Sequence, residues 1–247
     1  MKQLILSLFC LSSAYFATAQ NNMRPVTDLI NITDPAWPLV KQWIDAATNK
    51  VEILQADAAK GRDALYKTQV TTRSPMGAII YATGGLLIDN GWIRILGSGS
   101  TKLNRSLPDW NVGKSIKAIG DRPAFLLIAD DAAGGFFAIN GGALGKDAGN
   151  VYYLSPDTLT WDSLDMGYSD FLQFCFKGDL GAFYKTLRWK SWKTEVAALD
   201  GNQAYSFYPF LWSKEGKDIN KDSRKAVPVD ELYTSIYSAR IQLGISQ

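Results

Sequence analysis

The chain has 247 residues, of which 47% are hydrophobic, and its 26 basic side chains nearly balance 24 acidic ones. This length and apolar content suit one globular domain with a substantial core. A formal net charge of +2 gives no overall bias toward nucleic acid or an anionic membrane. The chain contains no histidine, which excludes Ser-His and Cys-His nucleophile pairs and removes the commonest zinc ligand. Composition therefore excludes most familiar hydrolase mechanisms, and no cofactor is predicted.

The start of the chain has the pattern of a secretory signal peptide. Lys2 supplies a positive charge, residues 4–16 are apolar, and Ala17-Thr18-Ala19 offers small residues at the cleavage positions. The apolar run is shorter than the roughly 20 residues that span a bilayer, so no membrane span is predicted. We expect cleavage after Ala19 and a secreted or periplasmic location.

Cysteine usage is minimal. Cleavage removes Cys10 and leaves Cys175, so the mature chain cannot form an internal disulfide. Cys175 lies in the apolar segment 171–176, and no histidine is present to activate it. This setting favours a buried core residue over a nucleophile.

Helical patterns dominate the first part of the mature chain. Asp34-Pro35, Asp57 and Ser74-Pro75 have the composition of helix N-termini and precede apolar residues at helical spacing. The predicted helices cover residues 34–47, 57–66 and 74–83, and a short strand covers residues 51–54. Gly84-Gly85 is expected to end the third helix in a left-handed conformation.

The middle of the chain changes to short aromatic and aliphatic runs bounded by Gly, Asp or Asn, which is typical of antiparallel strands. The predicted strands cover residues 86–88, 92–96, 125–129, 135–140, 150–154 and 161–164. Asp89-Asn90-Gly91, between the first two of these strands, predicts a tight hairpin turn.

The last third returns to helical patterns. The predicted helices cover residues 168–176, 179–188, part of 189–196, and 229–243. Residues 214–225 carry mixed charges without an apolar period and predict a solvated loop.

The predicted organisation combines these elements in one fold. We expect a signal peptide at residues 1–19, a leader at residues 20–33 and a single α+β domain at residues 34–247. A central, mainly antiparallel sheet is flanked by N-terminal and C-terminal helices.

Residues 130–145 form the densest candidate for chemistry. Asp130 and Asp131 follow a strand and precede Gly134-Gly135. We favour a hairpin turn in which Asp acts as a cap and Gly takes a positive φ. Ligand binding and acid-base catalysis by the two carboxylates are the alternatives. The alternating Asp/Asn pattern and terminal Glu of a calcium loop are missing, so no metal site is predicted.

Cations and indoles alternate in the segment 188–193, which reads Arg-Trp-Lys-Ser-Trp-Lys. Such a segment could stack on anionic glycans or on the bases of a single strand. We favour an amphipathic helix whose indoles pack inward while its lysines stay hydrated, and no nucleic-acid partner is predicted.

Recurrent Gly, Trp and Tyr motifs connect the predicted elements. They lie at residues 69–78, 83–85, 91–99, 107–111, 130–145, 150–153, 155–159 and 206–210. Together they resemble the bacterial family called domain of unknown function 2625, over about residues 34–232. The resemblance implies no activity and no catalytic residues.

The order of elements carries a second, looser resemblance. A helix ending in Gly, an acidic turn before a Gly-aromatic strand, a Tyr-containing strand, a Trp segment and a further helix follow one another. They lie at residues 78–85, 130–137, 151–153, 161 and 169–176. This order is similar to the Smi1/Knr4 superfamily, which includes bacterial toxin-immunity proteins, and it implies a Smi1/Knr4-like α+β fold.

The favoured function is non-catalytic binding, with another protein as the partner. The candidate binding surface is a groove near Asp130, Asp131, Trp92 and Trp110. The alternative is a histidine-free secreted hydrolase, acting for example on a glycan through a carboxylate pair. Asp157 is the last candidate site residue. If the carboxylates of Asp130 and Asp157 shared a cleft, the hydrolase would be favoured over the binding function.

Overall fold

The computed structural model describes residues 23–245. The predicted signal peptide, its cleavage site and Cys10 lie outside these residues. Among the helices of residues 23–245, each is too short or too polar to traverse a bilayer.

A meander of antiparallel strands forms the centre of the described chain. Each strand pairs with the next one in sequence, so the order across the sheet is the order along the chain. The strands are β1 Val51–Gln55, β2 Thr83–Ile88, β3 Ile93–Leu96, β4 Phe125–Asp131, β5 Phe136–Asn140, β6 Val151–Leu154 and β7 Trp161–Ser163. The predicted strands and the α+β class are confirmed.

The N-terminal helices are α1 Val26–Leu29, α2 Trp37–Asp45, α3 Ala58–Thr68 and α4 Pro75–Ala82. The predicted caps of α3 and α4 are confirmed, because Asp57 accepts from the Lys60 amide and Ser74 accepts from the Gly77 amide. The predicted start of α2 was wrong. Asp34 caps no helix, and its carboxylate instead pairs with Arg73 at 3.3 Å.

The role predicted for Gly84-Gly85 was also wrong. The chain passes from α4 directly into β2 at Thr83, which is extended with φ −137°. A Cβ atom on Gly84 would lie 2.7 Å from Cβ of Ser100, and one on Gly85 would lie 2.8 Å from the Ile95 carbonyl oxygen. These glycines therefore allow close packing within the sheet and do not end a helix.

The remaining helices are α5 Leu107–Asn111, α6 Tyr168–Lys177, α7 Leu180–Phe183, α8 Trp192–Ala197 and α9 Val229–Gln242. The predicted helix at 179–188 is a single turn, because the chain leaves the helical conformation at Tyr184. The buried side chains of Leu180, Tyr184 and Leu187 nevertheless supply the predicted apolar contacts.

A second, two-stranded sheet was missed. β8 Gln203–Tyr208 pairs with β9 Ser223–Pro228, and a short 3₁₀ helix, Glu215–Lys217, lies between them. The predicted solvated loop at 214–225 was therefore wrong at its end. The reason is physical: β9 contains Arg224 and Lys225 and is only partly buried, so it lacks the apolar alternation of a core strand.

The register of the large sheet separates two faces. Cross-strand partners share a face, whereas successive residues in one strand alternate between faces. Arg94 pairs with Asp130, and Asp130 with Phe136, whose ring contacts Tyr233 of α9 at 5.0 Å. Asp131 lies on the opposite face, as does Phe137, whose ring contacts Phe171 of α6 at 4.9 Å. The core thus has two layers, one on each side of the sheet.

Candidate functional site

Asp130 is the centre of a buried ionic cluster. Its Oδ1 lies 2.6 Å from Nη2 of Arg94, and its Oδ2 lies 2.5 Å from Nη1 of Arg105. The side chains of Asp130 and Arg94 are 1% exposed, and that of Arg105 is 10% exposed. One carboxylate therefore pairs with two guanidinium groups and leaves one net positive charge, and Asp130 is a structural bridge between β3, β4 and the loop that carries Arg105.

The same guanidinium groups hold the C-terminal part of the chain. Nη2 of Arg94 donates to the Gln203 carbonyl at 3.2 Å, and Nη2 of Arg105 donates to the Gly201 carbonyl at 3.0 Å. Burial lowers the pKa of Arg94, and the nearby Asp130 carboxylate opposes that effect. The cluster thus ties the central sheet to the start of β8.

Asp131 shapes the turn between β4 and β5. Its Oδ1 accepts from the amides of Ala133 at 2.9 Å and Gly135 at 2.8 Å, and its Oδ2 accepts from the Tyr153 hydroxyl at 2.7 Å. Gly134 has φ +93°. Burial raises the pKa of Asp131, whereas these hydrogen bonds act in the opposite direction. The predicted Asp-capped hairpin with Gly at a positive φ is confirmed for Asp131, whereas the Asp130 carboxylate pairs with Arg94 and Arg105.

The sequence-predicted carboxylates do not converge. Asp130 and Asp131 point to opposite faces of the sheet, and each carboxylate is already hydrogen-bonded or ion-paired. Asp157 is half-buried and accepts from the Ser155 hydroxyl at 2.5 Å. Among the contacts of residues 23–245, none joins Asp157 to Asp130.

The two candidate tryptophans lie in the core. Trp92 is 0% exposed, and its ring contacts Tyr184, Trp189 and Trp192 at centroid distances of 5.1–5.6 Å. Trp110 is 6% exposed, and Nζ of Lys114 lies 4.0 Å from its ring centroid.

The predicted groove near Asp130, Asp131, Trp92 and Trp110 is therefore corrected. The structure places all four side chains in the interior, because both tryptophans pack in aromatic clusters and both carboxylates are held by neighbouring donors. They do not line one common surface groove, although Trp110 lines an open pocket of about 450 Å³ with Arg105 and Lys114, and their part in any binding stays a prediction.

The segment of alternating cations and indoles also packs mainly inward. Trp189 is 1% exposed, and the Arg188 guanidinium lies 3.9 Å from the ring centroid of Trp192 while it pairs with Asp89 at 2.7 Å. Lys190 and Lys193 remain exposed. The predicted inward packing is confirmed for Trp189, although α8 begins only at Trp192.

An exposed aromatic patch follows β8. We define it as Tyr208, Phe210 and Trp212. Tyr208 is 72% exposed and Phe210 is 43% exposed. The rings of Phe210 and Trp212 stack at 4.3 Å with an interplanar angle of 7°, and Tyr208 lies 6.5 Å from Phe210. The sequence motif at residues 206–210 includes Tyr208 and Phe210, but the sequence alone did not show that these rings face solvent.

The patch borders a small apolar groove of about 20 Å³. Its lining comprises Phe210, Leu211 and Trp212, residues Leu232, Ser235 and Ile236 of α9, and Ala133, Pro156, Tyr205, Ser206 and Phe207.

Lys214, Lys217 and Lys225 on the connecting segment and β9 are exposed. Within the described residues, no ion pair involves these three lysines.

A larger polar cavity of about 310 Å³ lies between β1–β3 and the end of α8, and we call it the Arg94 cavity. Its charged lining residues are Lys50, Lys102, Arg94, Glu52 and Asp200. Among residues 23–245, no group of three or more His, Cys, Asp or Glu side chains could hold a metal ion.

Comparison with known proteins decides the family. The family model described as "Protein of unknown function DUF2625" matches residues 26–232. The chain belongs to this family. The family resemblance expected from the motifs is therefore confirmed.

Two relatives illustrate the match. "Putative uncharacterized protein YbfG" of Escherichia coli (strain K12) is 45% identical over 220 residues, which cover 88% of this chain and 98% of that protein. An "Uncharacterized protein" of Haemophilus influenzae is 45% identical over 224 residues, which cover 91% of this chain and 98% of that protein. No solved structure gives a significant match. The looser Smi1/Knr4 resemblance stays a prediction.

Proposed function

We propose that this protein is an exported, non-catalytic module that binds another protein through the aromatic patch. The observation that carries the proposal is the exposure of Tyr208 and Phe210, at 72% and 43%. Aromatic rings are enriched at the centres of protein interfaces, where they bury a large area with few rotatable bonds. Exposed apolar clusters on soluble proteins often mark such surfaces.

The surrounding charges indicate the chemistry of the partner. Arg224 is paired with Glu195 at 2.7 Å, and Lys221 is paired with Asp218 at 2.9 Å. Lys214, Lys217 and Lys225 have no such partner among the described residues and surround the connection between β8 and β9. The partner surface therefore presents an apolar side chain to the patch and carboxylates to these lysines.

The hydrolase alternative has weaker support. Acid-base catalysis on a glycan needs two carboxyl groups on either side of one bond. Asp130 is shared by two arginines, whereas Asp131 is held by two amides and a tyrosine hydroxyl on the other face of the sheet. Binding requires none of these groups to leave its present partner.

The test uses the full chain expressed in its native host with in-cell crosslinking. The Tyr208→Ser/Phe210→Ser variant is compared with the parent and with Ile32→Ser, which alters an isoleucine that is 89% exposed. We expect a partner that crosslinks to the parent and to Ile32→Ser and is lost from the double variant. Titration calorimetry with that purified partner should reproduce the difference. A partner that binds the double variant as tightly as the parent contradicts the proposal, and so does the absence of any saturable partner.

Export is tested separately. The proposal is supported by Lys2, the apolar residues 4–16 and the small residues Ala17-Thr18-Ala19. We expect N-terminal sequencing of protein from the cell envelope to begin at Gln20, or at Asn21 if cleavage follows Gln20. Intact Met1 on protein that stays in the cytoplasm would refute export while leaving the binding proposal untouched.

A further inference from the structure

We infer that the Arg94 cavity binds a small aliphatic monocarboxylate. Arg94 forms part of the lining of this cavity of about 310 Å³, yet the arginine is 1% exposed. Its Nε and Nη1 atoms have no hydrogen-bond partner among the described residues. Buried donors without a partner are costly and uncommon, so a ligand oxygen that reached them would gain a charge-assisted hydrogen bond.

The net charge of the lining favours a monovalent anion. Lys50, Lys102 and Arg94 contribute three positive charges, and Glu52 and Asp200 contribute two negative charges. The Asp130 carboxylate does not cancel this surplus, because Arg94 shares it with Arg105. A dianion such as hydrogen phosphate loses more hydration free energy than a monocarboxylate on entering the cavity, and a surplus of one positive charge does not offset that cost.

The other charged residues of the lining already have partners within the protein. Lys102 pairs with Glu52, and Oδ1 of Asp200 accepts from the backbone amide and Nδ2 of Asn202, both at 2.8 Å. Nζ of Lys50 donates to the Asn90 side-chain oxygen at 3.3 Å. None of these contacts satisfies Arg94, which remains the group with unused donors.

Aliphatic side chains complete the specificity. Leu87 of β2, Val196 of α8 and Leu199 lie in the same lining. They favour a short hydrocarbon tail beside the carboxylate, because burial of each methylene removes apolar surface from water. No residue of this lining belongs to the aromatic patch or its groove, so the site is independent of the proposed protein interface.

The experiment is a titration of the ¹⁵N-labelled protein with sodium butyrate, followed by NMR at constant ionic strength. We expect saturable shifts of the Gly91, Thr101 and Gly201 amides and of the Arg94 Nε–H resonance. Neutral butyramide should give no saturable shift, and inorganic phosphate should bind more weakly than butyrate. Millimolar affinity corresponds to about −4 kcal/mol, so a titration to about 50 mM would detect the site.

Variants at the rim avoid the risk that an Arg94 substitution prevents folding. Lys50→Met and Lys102→Met should each raise the Kd for butyrate about two- to five-fold, since each removes a nearby positive charge. Lys146→Met, which alters an exposed lysine outside the lining, is the matched control. An absence of saturable shifts, equal binding of butyramide, tighter binding of phosphate, or equal weakening by Lys146→Met would each overturn the inference.

Discussion

Replacement of Asp130 by Asn tests the buried ionic cluster directly. The substitution conserves shape but removes the negative charge that Arg94 and Arg105 share at 2.6 and 2.5 Å. Both guanidinium groups then remain buried without an anion. Breaking a buried ion pair on one side costs about 3–5 kcal/mol, because the remaining charge keeps its desolvation penalty.

Asp131→Asn is the matched control, since it makes the same chemical change at the next residue. An Asn oxygen retains the acceptor for the Ala133 and Gly135 amides, and the Asn amide can donate to the Tyr153 oxygen. No arginine depends on this carboxylate for an ion pair among the described residues. We expect a loss of about 1 kcal/mol or less, as for the exchange of one Asx cap for another.

Urea unfolding of the parent and the two variants measures the difference. For a domain of this size, about 2–4 °C of Tm corresponds to 1 kcal/mol, so thermal melts should show a loss of about 6–20 °C for Asp130→Asn. The m-value should stay constant, which shows that the substitutions changed stability and not the unfolded state. Equal losses for the two variants, or a larger loss for Asp131→Asn, would refute the assignment of the cluster to Asp130.

Three further predictions follow from individual side chains. Cys175 is fully buried, and burial raises the pKa of its thiol, so native protein should react slowly with a thiol reagent and denatured protein rapidly; fast native labelling would contradict burial. Hydrogen bonds from Arg224 lower the pKa of Glu195 from 4.5 to about 2, so its stabilisation is present above pH 4.5 and is lost as the pH falls toward 2. Glu195→Gln should therefore lower the free energy of unfolding by about 1 kcal/mol near neutral pH and by progressively less in acid. Urea unfolding across this pH range measures the loss, with Glu215→Gln as the control. Calcium should leave the Tm of the parent unchanged, because the Asp131 carboxylate is already held by two amides and a tyrosine hydroxyl. A ligand that binds the folded state raises the Tm, so a large calcium-dependent rise that disappears in Asp131→Asn would contradict the turn assignment.

Short sequence patterns were sufficient to predict most strands of the central sheet. The turn at Asp89-Asn90-Gly91 was predictable because Asp, Asn and Gly tolerate positive φ values, and these three residues have φ 48°, 62° and 85° in the four-residue loop between Ile88 and Ile93. The caps at Asp57 and Ser74 were predictable for a similar reason, since each side chain satisfies an amide at the start of its own helix. These features depend on a few consecutive residues.

Features that depend on distant residues were not predictable from pattern. The β8–β9 pair was missed because the charged residues of β9 resemble a loop until Gln203–Tyr208 is placed beside them. The partners of Asp130 were missed because Arg94 faces it only through the register of β3 and β4, and Arg105 reaches it from a loop. A hairpin prediction assigned both carboxylates to the turn, although only Asp131 shapes it.

The alternation of one strand explains why two adjacent aspartates have different roles. Asp131 faces Tyr153, and its carboxylate fixes the local turn through the Ala133 and Gly135 amides. Asp130 faces the other layer, where Arg94 also donates to the Gln203 carbonyl at the start of β8. The opposite end of that strand is Tyr208, the first residue of the aromatic patch. The buried cluster therefore anchors the start of the strand whose last residue, Tyr208, begins the aromatic patch.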